Sequence, residues 1–196
     1  WMVLGLVPGE EEAETIYMAD LGTETVWVST DGDSVCCPSG LGCWTDRDTA
    51  LGTWDEDEED REGDWGIADI AELHSETIYV VAFNGDMVKS TTMARLWSSQ
   101  EDTKVDDVDG EMAHDIVAMG VWLLVGGDKG TVSYSKDGGD SFAVLDDIGD
   151  GQVHVAFDSY FSDNGYVYAA VAGPDNGVYR TTITAADFES MNACED

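Results

Sequence analysis

The chain has 196 residues, 43% of them hydrophobic and 22 of them Gly, and its 42 acidic residues against 8 basic ones give a formal net charge of −34. That charge repels phosphate backbones and excludes nucleic acid as a partner. No run approaches the roughly 18 apolar residues of a membrane-spanning helix. The sequence opens on Trp1 with no basic segment ahead of an apolar one. It therefore reads as processed or cut from a longer chain, with no signal peptide in view.

Taken in chain order, four segments share one grammar: a β-rich run carrying an aromatic, a turn, a second β-run, then Ser or Thr. The first runs from Glu14 to Ala19 and continues through Val26 to Ser29. The second is Glu76–Ala82 with Gly85–Ser90, and the third is Val121–Val125 with Gly130–Ser135. The fourth is Val167–Ala172 with Gly177–Thr181. The aromatics Tyr17, Tyr79, Trp122 and Tyr168 fall at intervals of 62, 43 and 46, and the closing hydroxyls Ser29, Ser90, Ser135 and Thr181 at 61, 45 and 46. Two independent markers thus share a period.

Apolar runs at Ile67–Leu73, His114–Met119 and Val153–Phe157 precede the later segments, and Trp44, Trp97, Phe142 and Phe188 follow the closing hydroxyls. Short apolar runs punctuated by Gly, Asn and Asp predict strands, and no helical period is sustained. A period in the mid-forties matches a four-stranded unit that buries its faces only against its neighbours. The expected fold is all-β: four four-stranded antiparallel blades of a β-propeller, complete or part of a larger one. The expected repeats are 1–50, 67–105, 112–150 and 151–196, with an acidic insertion at 51–66 that lengthens the first interval.

The segment Ser135-Lys-Asp137-Gly-Gly139-Asp-Ser-Phe142 resembles the Asp-box, the S-x-D-x-G-x-x-W/F motif of sialidase-like and xyloglucanase-like propellers. The resemblance implies a hairpin between the third and fourth strands of a blade. Asp137 would accept hydrogen bonds from turn amides, Ser135 would add a hydroxyl, Gly139 would permit positive φ, and Phe142 would pack inward. The other copies are degenerate. Ser29-Thr-Asp31 runs into Cys36-Cys37, Ser90 is followed by Thr92 where Asp belongs, and Thr181 leads to little beyond Phe188.

The resemblance also sets out what a catalytic relative would need. Sialidases use three arginines and a Tyr–Glu nucleophile pair, whereas this chain offers only Arg47, Arg61, Arg95 and Arg180 and lacks the Arg-Ile-Pro signature. Xyloglucan-cleaving relatives use two aspartates as acid and base, and no motif selects a pair here. No catalytic residue is assigned. Trp27, Trp97 and Trp122 sit at repeat positions expected in the core, whereas Trp54 and Trp65 flank the acidic insertion and are candidate exposed contacts.

Asp55, Asp57 and Glu59 resemble the start of an EF-hand loop, but Asp60 stands where Gly is required and no Glu closes it. A solvated loop is the plain reading and weak Ca²⁺ binding the sharper one; no cofactor is required. Cys36, Cys37, Cys43 and Cys194 lack metal-ligand spacing. They read as two disulfides, Cys36 or Cys37 with Cys43 and the remaining one with Cys194, or as four free thiols in a reducing compartment. His74, His114 and His154 lie near the starts of inner strands, at a shared rim or in structural roles.

The function expected is a non-catalytic, exported structural or binding protein: a cell-surface, surface-layer or fibre component whose propeller contacts other protein subunits or glycans and self-assembles. The rivals are a glycoside hydrolase fragment of the Asp-box class and a calcium-dependent adhesion module.

Overall fold

The computed structural model describes residues 2–6, 15–20, 25–29, 44–49, 51, 66–99, 101–105, 111–174, 176–185 and 187–191. Their strands form four antiparallel sheets of four, each in simple chain order. The first holds β1 (Met2–Leu6), β2 (Ile16–Asp20), β3 (Thr25–Ser29) and β4 (Thr45–Asp48). The second holds β5 (Ile67–His74), β6 (Thr77–Ala82), β7 (Asp86–Ser90) and β8 (Glu101–Asp102). The third holds β9 (Ala113–Met119), β10 (Trp122–Gly127), β11 (Thr131–Ser135) and β12 (Ala143–Asp147). The fourth holds β13 (Gln152–Phe157), β14 (Tyr166–Ala172), β15 (Gly177–Thr182) and β16 (Glu189–Ser190). The expected all-β, four-sheet architecture is what the chain adopts.

A single helical turn, α1 (Phe161–Asn164), enters before β14 and ends on Gly165 in the left-handed region. One turn carries too little apolar periodicity to show in the sequence. Among the described residues, no helix is long and apolar enough to cross a membrane.

The chain divides into two compact units, Trp1–Ala82 with Asp86–Gln100, and Phe83–Gly85 with Glu101–Asp196. In the first, Tyr17, Val26, Ile67, Ile78, Val80 and Val88 form the buried core, with Trp97 packed against it. In the second, Leu124, Val132, Val153, Val155 and Val167 do so, with Trp122 and Phe157 at the margin. Strand patterns explain this burial. The uninterrupted apolar phrase of β6 is buried on both faces, whereas β13, reading Gln-Val-His-Val-Ala-Phe, alternates out and in.

The period markers are packing elements. The closing hydroxyls Ser29, Ser90, Ser135 and Thr181 are all buried. Tyr17 and Tyr79 are buried completely, while Trp122 and Tyr168 are half-buried. The Trp122 ring meets Phe161 edge-on at 5.5 Å, and Phe161 meets Phe157 at 4.8 Å, so α1 plugs one end of the second unit's core.

Candidate functional site

The turn after β11 is built from its own side chains. Ser135 Oγ donates to Asp137 Oδ1 at 2.8 Å and accepts from the Gly139 amide at 2.9 Å. Asp137 accepts from the Ser141 amide at 3.0 Å and from Ser141 Oγ at 2.5 Å. These bonds, Ser141 first and Ser135 next, hold the Asp137 carboxyl below its ordinary range. The Gly138 amide donates across the hairpin to the Val121 carbonyl at 2.8 Å. Gly138 and Gly139 have φ of 77° and 92°, a region that side chains disfavour. Phe142 is half-buried.

The turn after β7 repeats this plan with other residues. Thr92 Oγ1 takes the carboxylate's place and accepts from the Leu96 amide at 2.9 Å, while Ser90 Oγ accepts from the Thr92 amide at 3.2 Å. The Met93 amide donates to the Glu76 carbonyl at 3.0 Å, as Gly138 does to Val121. Met93 and Ala94 have φ of 57° and 58°. After β15 the pattern differs, for it is Ile183 that donates, to the Gly165 carbonyl at 3.0 Å. In both recurring turns the signature groups are occupied with backbone.

Titratable side chains gather elsewhere. In the second unit, His114 on β9 and His154 on β13 meet edge-on with ring centroids 5.3 Å apart. Asp115 Oδ2 accepts from the Val155 amide at 2.7 Å and lies 3.7 Å from His154 Nδ1. Burial, then the neighbouring His154, lowers the His114 pKa against the opposing pull of Asp115 and Asp128. His154 is more than half exposed, so this cluster opens to solvent. His74, in the first unit, stands at the end of β5, not near the start as expected, and its ring approaches Thr77 Oγ1 at 3.1 Å.

Two further carboxylates are structural. Glu111 is 2% exposed and accepts from the Lys129 and Thr131 amides and from Thr131 Oγ1. A Cβ at Gly127 would stand 2.0 Å from its Oε1 and 2.8 Å from Val105 Cγ1, so a side chain there would have to displace them. Asp158 accepts from Asn164, Tyr160 and Tyr168, bonds that pull its own pKa down and push that of Tyr168 up. Glu72 on β5 is different: it is 9% exposed, its Oε1 has no hydrogen-bond partner among the described residues, and burial raises its pKa to about 7. Glu72 lies inside the apolar run Ile67–Leu73, which places it on a buried strand.

Cys36, Cys37, Cys43, Cys194, Trp54, Trp65, Asp55, Asp57 and Glu59 lie outside the described residues. Among the described residues no group of three or more His, Cys, Asp or Glu side chains is placed to hold a metal ion. Trp27 and Trp97 are half-buried, while Trp44 is 37% exposed.

No family model and no curated protein matches the chain. Solved structures do. A YCF48 structure bound to D1 peptide matches with a TM-score of 0.60 at 14% identity, covering 97% of this chain and 54% of that one. YCF48 from Cyanidioschyzon merolae matches with 0.59 at 12% identity, covering 96% and 56%. A GH74 xyloglucanase from Xanthomonas campestris matches with 0.59 at 13% identity, covering 97% and 30%. The chain thus spans just over half the length of the YCF48 chains and under a third of the xyloglucanase. These neighbours are β-propeller proteins, and the likeness shows that this chain's four sheets follow the propeller fold.

Proposed function

We propose that the chain is a non-catalytic binding protein, exported to the cell surface or beyond, whose propeller sheets engage a protein partner through a cationic segment. The observation that carries this reading is the use made of the motif residues. Both Asp137 oxygens and the Ser135 hydroxyl are committed to holding a hairpin, as an Asp-box would be. The YCF48 neighbour supports it, since that propeller is bound to a peptide. A net charge of −34 favours a basic partner segment and fast, salt-sensitive association. Glycan contact and self-assembly are further uses of the same scaffold.

Titration of the purified protein with lysine- and arginine-rich peptides at low and high salt tests this, with binding expected at low salt and lost at high salt. The likeness to a xyloglucanase favours the rival, a glycoside hydrolase fragment. Hydrolysis of a β-glucan or sialoside panel, abolished by a single Asp→Ala change, would replace the binding reading. A melting temperature lowered by EDTA would favour the calcium-dependent module.

A further inference from the structure

Glu72 sits where the two sheets of the first unit meet. Strand β5 packs against β1 and β2, and Glu72 lies on β5 with its carboxyl buried and its Oε1 unpartnered among the described residues. Glu72 is in regular register with Ile78, just ahead of a bulge at Leu73, and shares its face of β5 with Ile70, which packs in the core with Tyr17. Beside it, the Tyr17 hydroxyl on β2 donates to the Ser75 carbonyl just past β5 at 2.7 Å. That bond ties β2 to the same end of β5.

We propose that Glu72 is a proton-operated latch between these two sheets, letting β5 seat against β1 and β2 when neutral and loosening that seat when ionised. Desolvating a lone carboxylate is costly, so the packed state retains the proton. Among the described residues, the ionisable groups that couple to this corner are acids: Tyr17 from β2, its own pKa pushed to about 12 by burial and by Glu72 and Glu76, and Glu76 from the β5–β6 turn. Strand β1 has no ionisable residue, and the only one in β6 is Tyr79, which is registered on Ala71 while Glu72 faces Ile78. The sign follows from linkage. The packed state holds a proton up to about pH 7 that the unfolded chain releases in the ordinary carboxylate range, so the seat weakens as pH rises through that interval.

Hydrogen–deuterium exchange at pH 5.5 and 8.5, corrected for intrinsic rates, reads the latch directly. Protection of amides in β2 and β5 is expected to fall about tenfold or more at the higher pH. Amides of β10 and β14 should hold, and Glu72→Gln should abolish the fall. Equal protection at both pH values, an equal fall in β10 and β14, or an unchanged fall in Glu72→Gln would overturn the latch. Carboxyl-carbon NMR of the unmutated protein gives a second reading. Titration of Glu72 near neutrality supports the latch, and titration in the ordinary carboxylate range rules it out.

Discussion

The turns after β7 and β11 reach one backbone geometry from different chemistry. At Ser135–Phe142 a carboxylate gathers an amide and two hydroxyls, and two glycines occupy the positive-φ positions. At Ser90–Trp97 a threonine hydroxyl accepts the equivalent amide, and Met93 and Ala94 occupy the equivalent positions at roughly 1 kcal/mol of strain each. The cross-hairpin bonds, Met93 to Glu76 and Gly138 to Val121, are the same. The conformation is therefore demanded by the sheet. The motif residues lower its energy, and a copy that lacks them is held by the strands on either side.

Six substitutions sharpen that comparison. The largest effect is expected from Ser135→Ala, which leaves the buried Gly139 amide without its acceptor and should cost about 2 kcal/mol in thermal unfolding. Ser90→Ala, with one longer amide bond at stake, should cost about 1 kcal/mol. Equal losses would mean that the two serines do the same work despite their different partners.

Asp137→Thr imports the second turn's solution into the third and should cost about 1 kcal/mol, since a hydroxyl keeps one amide bond and forfeits the charge-assisted ones. Its pH profile is the sharper measurement. The Asp137 carboxyl is held below its ordinary range, so its contribution is full above about pH 4 and is lost as pH falls through the lower folded value. Unmutated protein should therefore lose more stability than Asp137→Thr between about pH 4 and pH 2. Parallel acid limbs would show that the carboxylate does not stabilise the turn.

Ala94→Gly should stabilise by about 0.5 kcal/mol, relief of strain outweighing one lost buried methyl, and Gly139→Ala should destabilise by about 1 kcal/mol. The smallest change is expected from Thr92→Asp, a gain of a few tenths of a kcal/mol if the carboxylate reaches the Leu96 amide as Asp137 reaches Ser141. A loss would show that the second turn has no room for the carboxylate and that the two geometries are less alike than their hydrogen bonds.

Features carried by local pattern were legible in the sequence. Strand phrases such as Thr77–Ala82, the positions of the closing hydroxyls and the Ser135–Phe142 turn follow from side-chain alternation and short-range turn chemistry, which act within a few residues. Met2–Leu6 escaped because a strand without a matching upstream marker has no period to announce it. The role of Thr92 escaped because a threonine in a degenerate motif does not reveal that the sheet will hold it where an aspartate belongs.

The amino-acid sequence by itself determined that this chain would be all-β, repeat every mid-forties residues and carry a net charge of −34, since periodicity, turn residues and net charge are properties of the string. Only the tertiary structure decided which polar groups matter. His114 and His154 meet because β9 packs on β13, and Asp115 finds the Val155 amide 40 residues away. Glu111 is satisfied by amides near Thr131, while Glu72 is buried beside a bulge with one oxygen unpartnered among the described residues. The physical reason is the same each time: a side chain's solvation and partners are set by the residues packed against it, and those come from distant parts of the chain.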